Sequence, residues 1–202
     1  MNSIKYLALV LFLILIACED ETTNPIGTQV PVDSIEKSSK RGLAFNLTDT
    51  SDFGALKSGV SWWYNWHYET SAPSGYTSDY EIVFIPMLWG GTPSTNAINE
   101  LKYFMLEHSE IEYLLVMNEP NLTDQANRTP AQAASDWVIY EQVIADLADH
   151  GRIVSLVGPA VTWGTMVDYA DPVVWLDAFY EAYWQLMSQE PKIDYLAFHW
   201  YD

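Results

Sequence analysis

The tripeptide Asn118-Glu119-Pro120 closes an apolar run and sets a carboxyl group beside an amide where a strand would end. A carboxylic acid held there can protonate a leaving oxygen and later draw a proton from water, which is general acid–base work. Cleaving a bond between two sugars needs such an acid and a second carboxylate across the sugar ring. Pro120 restricts the residue before it, which predicts an extended backbone for Glu119. Asn-Glu-Pro is a common tripeptide, and a surface ion-pair carboxylate is its plain alternative. The long apolar run before it favours a site. Other acids are weaker partners: Glu141 and Glu181 fall within helical patterns, Glu107, Glu110 and Glu112 at a helix–strand junction, and Glu69 in a loop.

Polar and aromatic side chains gather at the ends of other apolar runs: Asn46, Asn65, Trp66, Trp89, His199 and Tyr201. Flat C–H faces of sugar rings stack on indole and phenol rings, while their hydroxyls need amides and carboxylates. In Trp62–Trp66, strand alternation sends Trp62, Tyr64 and Trp66 to one side and Trp63 and Asn65 to the other. A bulge near the strand end would bring Asn65 and Trp66 together at the rim. At least two of these aromatics are expected in ordinary core. Trp89, just before Gly90-Gly91, is the stronger platform candidate. For His199 the alternative is a buried, hydrogen-bonded histidine.

The elements that must position these residues alternate along the chain. Six apolar runs rich in β-branched and aromatic residues lie at 41–47, 61–66, 81–89, 112–120, 152–161 and 193–201. Runs apolar on both faces predict parallel strands covered on both sides. Helical stretches separate several of them. The stretch 130–150 starts with Thr129 as N-cap, Pro130 at the first helical position and Gln132 completing a capping box. Its expected core face is Ala134, Trp137, Val138, Ile144, Ala145 and Ala148. Asp171-Pro172 opens the next helix, expected to bury Val174, Leu176, Phe179, Tyr183 and Leu186. A third covers about 95–108.

Repeated strand–helix units give a doubly wound sheet or a (β/α)8 barrel. The polar residues favour the barrel, because parallel strand ends converge there on one face. No Gly-rich turn of a nucleotide-binding sheet follows the first run. The fold class is therefore α/β, a (β/α)8 TIM barrel, truncated after about six strands.

Composition narrows the function further. The 202 residues are 49% hydrophobic and 14% aromatic, with 9 Trp and 13 Tyr, and suit one domain with a sizeable core. Nine Lys+Arg against 27 Asp+Glu give a net charge of −18. That charge excludes nucleic-acid binding by phosphate neutralisation and fits a neutral partner, though solubility alone would also account for it. The single cysteine excludes internal disulfides, and the four histidines show no metal-ligand spacing. No metal or organic cofactor is expected.

The N-terminus reads as an address. Lys5 and the apolar run Tyr6–Ile16 form a signal peptide over 1–17, too short to span a bilayer comfortably. Leu15-Ile16-Ala17-Cys18 resembles the bacterial lipobox, which implies lipidation at Cys18 and a stable membrane anchor. Glu19-Asp20-Glu21 resembles a surface-export signal of Bacteroidota lipoproteins. Residues 18–40 then read as a disordered tether, and 41–202 as the barrel. The expected location is extracytoplasmic, lipid-anchored and bacterial, with contact to the membrane through the anchor only.

Taken in order, KRGLAFN, SWWYNW, FIPMLWG, LLVMNEPN, VGPAV and IDYLAFHWYD resemble the glycoside hydrolase family 128 barrels, the Asl1-like catalytic domain of clan A. The resemblance spans about residues 40–202. It implies retaining, endo-acting hydrolysis of β-1,3-glucan, with Glu119 as acid/base and Asn118 as its partner toward the sugar 2-hydroxyl. It also implies that Asn65, Trp66, Trp89, His199 and Tyr201 line sugar subsites. The clan's nucleophile is a Glu at the end of a seventh strand, and the sixth run ends at residue 201. The chain is thus expected to be a fragment, inactive and poorly folded as it stands. Two alternatives remain open: a non-catalytic glucan-binding surface lipoprotein, and a clan A hydrolase for another β-glycan.

Overall fold

A computed structural model describes residues 37–201; the signal peptide, Cys18 and the acidic run after it lie outside the described residues. Among the described residues, seven short strands and five helices follow one another: β1 Gly42–Ala44, α1 Thr50–Leu56, β2 Trp62–Tyr64, α2 Tyr76–Tyr80, β3 Val83–Phe84, β4 Met87–Leu88, α3 Thr95–Glu107, β5 Tyr113–Val116, α4 Pro130–Asp149, β6 Ser155–Val161, α5 Pro172–Met187 and β7 Tyr195–Phe198. Every strand pairing is parallel.

The six apolar runs become seven strands because Pro86 interrupts the third. Proline has no N–H to give a ladder, so 81–89 divides into β3, paired with β2, and β4, paired with β5. The same run still joins both sheets: Ile85 N donates to Trp63 O at 2.9 Å, and Leu115 N donates to Pro86 O at 3.0 Å. The strand order β1-β2-β3 and β4-β5-β6-β7 therefore follows the chain without reversal. A doubly wound sheet reverses its order at a switch point. Strands laid down in sequence with helices between them are the arc of a (β/α) barrel.

Two apolar clusters hold the arc. Leu114, Val116 and Leu156 of β5 and β6 pack against Leu101, Trp137, Tyr140, Trp175 and Phe179 of α3–α5. Trp63 and Phe84 pack with Phe53 and Tyr76 of α1 and α2. Helix starts follow the sequence signals. Thr129 and Gln132 close a reciprocal capping box on α4, and Asp171 accepts from Val173 N at 2.8 Å on α5.

The buried faces differ from expectation. On α4, Tyr140, Val143 and Leu147 are buried, whereas Ala145 and Ala148 are exposed. On α5, Trp175 is buried, and Val174 and Leu186 are exposed. Large aromatics outcompete small residues for the groove between sheet and helix, since burial free energy scales with area. The stretch 37–40, assigned to the tether on sequence, is tied to the domain. Lys37 Nζ donates to Tyr80 O at 3.1 Å, and Trp62 Nε1 donates to Ser39 O at 3.2 Å.

Candidate active site

Glu119 lies beyond the end of β5 with only 4% of its surface exposed. Its backbone is not extended. Glu119 has φ 49° and Met117 φ 56°, both left-handed. The reason is a change of pairing at the strand end. Met117 N and Asn118 N donate to Leu88 O at the end of β4 and Trp89 O just past it, while Glu119 N donates to Ala160 O of β6 at 2.8 Å. Successive residues thus bond to opposite neighbours, and the left-handed pair turns the chain between them. Each left-handed non-glycine costs about 1–2 kcal/mol. The backbone bonds to the two neighbouring strands outweigh both that cost and the extended preference before proline.

Two donors from the far end of the chain converge on that carboxylate. His199 Nδ1 lies 2.8 Å from Glu119 Oε1, and the Tyr201 hydroxyl donates to the same oxygen. His199 is placed by its own N–H, which donates to Val161 O at 2.9 Å. The bond to Glu119, with burial second, pushes the Tyr201 phenol up to about 12. It therefore stays a donor throughout the neutral range. The Tyr64 phenol is also pushed up, first by burial and then by the Glu119 charge, so it too stands near the carboxylate.

Asn118 donates from Nδ2 to Gln125 Oε1 at 3.1 Å, while its Oδ1 is buried with no partner among the described residues. A buried acceptor without a donor costs about 1–3 kcal/mol.

The remaining candidates form two further groups. Trp66 and Trp89, 40% and 38% exposed, line one groove with Tyr68 and Pro93. Trp66 has φ 62°. This left-handed turn breaks the alternation, so Trp62 and Tyr64 face an inner cavity of about 300 Å³ while Trp66 faces the groove. Trp63 is buried in the core. Asn46 and Asn65 sit together elsewhere on the rim. Asn65 Nδ2 donates to Glu69 O at 2.9 Å and lies 3.5 Å from Asn46 Oδ1. These two residues brace the loop 65–69 rather than reach Glu119 by a hydrogen bond. Among the described residues, no group of three or more His, Cys, Asp or Glu is arranged to hold a metal ion.

The sequence model of the glycosyl hydrolase catalytic core matches residues 42–202. The chain belongs to that family. Among solved structures, this glycosyl hydrolase core is similar to a GH128 subgroup II endo-β-1,3-glucanase from Pseudomonas viridiflava, at 48% identity and TM-score 0.76, over 82% of this chain and 62% of that one. It is also similar to a subgroup II endo-β-1,3-glucanase from Sorangium cellulosum, at 34% identity and TM-score 0.66, over 80% and 60%. A third is a subgroup III curdlan-specific exo-β-1,3-glucanase from Blastomyces gilchristii in complex with glucose, at 31% identity and TM-score 0.61, over 82% and 62%. The chain thus spans about three fifths of these structures. No curated protein matches it.

Two supports of this site carry no signal in the sequence. Asp136, buried on α4, pairs with Arg128 Nη2 at 2.7 Å and accepts from Thr92 Oγ1 at 2.7 Å. Tyr140 OH donates to Gly91 O at 3.2 Å, and a Cβ on Gly90 would lie 2.4 Å from that of Ala126. Together these contacts fix the loop that follows Trp89. Asn121, also buried, ties the loop after β6 through Nδ2 to Thr162 O at 2.6 Å. An acidic residue inside a helical pattern reads as solvated until its partner is known, and Asn121 stands out only by following Glu119-Pro120.

Proposed function

We propose that this protein is a retaining glycoside hydrolase that cleaves β-1,3-glucan, with Glu119 as its general acid/base. The observation that carries the reading is the buried Glu119 carboxylate with His199 and Tyr201 both on Oε1. Two donors on one oxygen fix the carboxyl plane and leave Oε2 to exchange a proton with a glycosidic oxygen. Trp66 and Trp89 offer exposed faces for glucose rings. The similar structures are endo- and exo-β-1,3-glucanases, and they supply the substrate class.

A retaining mechanism requires a second carboxyl group about 5–5.5 Å from the first. Among the described residues none is hydrogen-bonded into the Glu119 cluster. We place the nucleophile in the part of the fold that the similar structures have and this chain does not span. The protein is further proposed to be a lipoprotein held outside the cytoplasm through Cys18. Cys18→Ala should abolish labelling by palmitate in a bacterial host; unchanged labelling would remove the anchor.

The test of the activity is Glu119→Gln in the full-length protein. The amide keeps the shape and cannot donate the proton, so laminarin turnover should fall at least about 10²–10⁴-fold with oligosaccharide affinity nearly retained. Turnover equal to the parent's would show that Glu119 is not the acid. Turnover of cellulose or mannan but not laminarin would reassign the substrate.

A further inference from the structure

Trp163 is 62% exposed on the loop after β6, and the chemistry described so far does not use it. An exposed indole leaves a large apolar face open to a ligand when the backbone beneath it is held in place. This loop is held. Asn121, two residues past Glu119, donates from Nδ2 to Thr162 O at 2.6 Å. Its own carbonyl accepts from Thr165 N and Met166 N, each at 3.1 Å. Gly164 N donates to Ala170 O at 2.8 Å, and Thr165 Oγ1 accepts from Thr123 N at 3.1 Å. Gly164 leaves no room to shift, since a Cβ there would lie 2.2 Å from Asn121 O.

The position of the loop matters as much as its rigidity. Val161, two residues before Trp163, holds His199 through its carbonyl. The Trp163 backbone is therefore anchored to both flanks of the cluster, to the Glu119 segment through Asn121 and to the His199 segment through Val161. In strand order, Trp66 and Trp89 follow β2 and β4, Glu119 follows β5, and Trp163 follows β6. The segments that carry Trp66 and Trp89 and the segment that carries Trp163 thus follow strands on opposite sides of β5, the strand that leads into Glu119.

We infer that Trp163 is a glucose-stacking platform on the far side of Glu119 from Trp66 and Trp89, so that the sugar chain runs across the carboxylate and is cut internally. This rests on the β-1,3-glucan reading above and deepens it. Binding on both sides of the scissile bond is what internal cleavage needs, whereas a blocked far side confines an enzyme to chain ends. The solved structures similar to this chain include both modes, so family alone does not decide.

The test is calorimetric titration of full-length Glu119→Gln protein with laminaribiose and laminarihexaose, alone and with Trp163→Ala or Trp89→Ala added. A hexaose spans both sides and a biose only one. Each tryptophan substitution should weaken hexaose binding about tenfold, while only one of the two weakens biose binding. Trp163→Phe should keep most of the affinity, because a phenyl ring still stacks. Hexaose affinity unchanged by Trp163→Ala, in a protein that melts like its parent, would overturn the inference and leave the activity standing. So would equal losses for biose and hexaose with both substitutions, which would put the two indoles on one side. If Trp163→Ala lowers the melting temperature and not the affinity, the indole is packing against another part of the protein, and the inference also falls. Absence of any laminari-oligosaccharide binding in the Glu119→Gln parent would sink the β-1,3-glucan reading itself, and this inference with it.

Discussion

Replacing Asp136 with Ala removes a carboxylate that is 2% exposed and that serves two partners, the Arg128 guanidinium and the Thr92 hydroxyl. Taking away one member of a buried pair costs about 3–5 kcal/mol, chiefly because the other charge is left without a partner. Arg128 retains 20% side-chain exposure, so water takes up part of that charge. The lower end, about 3 kcal/mol, is therefore expected, inclusive of the lost Thr92 bond. For a domain of this size each kcal/mol moves the melting temperature by about 2–4 °C, so the variant should melt about 6–12 °C lower. Asp136→Asn keeps an acceptor for Thr92 and should lose less. Arg128→Met with Asp136→Leu should recover most of the loss, because an apolar pair leaves no buried charge. Thermal unfolding of the full-length protein, followed by far-ultraviolet circular dichroism, reads all three. A fall under about 2 °C for Asp136→Ala, or a double variant no more stable than the single one, would refute the reasoning. Thr92 lies three residues past Trp89, so the same alanine variant should also weaken oligosaccharide binding.

Two glycines should respond in opposite ways. Gly164→Ala forces a methyl group against the Asn121 carbonyl and should destabilise by about 1–3 kcal/mol, whereas Gly54→Ala, inside α1 with open space around it, should stabilise by about 0.5–1 kcal/mol. Denaturant titration checks both, and equal effects would contradict the packing described. Burial, and then the Glu110 charge, pushes Tyr76 up to about 12; burial, and then its bond to Glu141, pushes Tyr183 up to about 12. Burial raises Tyr140 as well. Phenols ordinarily ionise near 10. The folded state thus holds these protons more tightly than the unfolded chain does. The stability they lend is complete below about pH 10 and is lost as pH rises through about 12. In a titration at 295 nm, these three should ionise only well above pH 10. Full ionisation of every tyrosine near pH 10 in a folded protein would show that they are not buried.

What the sequence determined follows from local chemistry. Proline, threonine and aspartate carry their helix-start signals within three or four residues, so Thr129-Pro130 and Asp171-Pro172 mark the starts of α4 and α5 whatever the rest of the chain does. The apolar runs marked six strand regions because parallel strands are apolar on both faces whatever their neighbours. Asn118-Glu119 at the end of such a run was legible for the same reason. Tertiary structure decided what depends on distant partners. Which neighbour each N–H bonds beyond β5 set the left-handed turn of Glu119, against the local preference imposed by Pro120. Only the folded arc brings His199 and Tyr201 onto a carboxylate some eighty residues earlier in the chain. The Arg128–Asp136–Thr92 link and the grip of Asn121 on the Trp163 loop are likewise invisible in one dimension. A polar residue reads as solvent-facing until the fold buries it, and it is then kept there by bonds to groups that sequence proximity does not reveal.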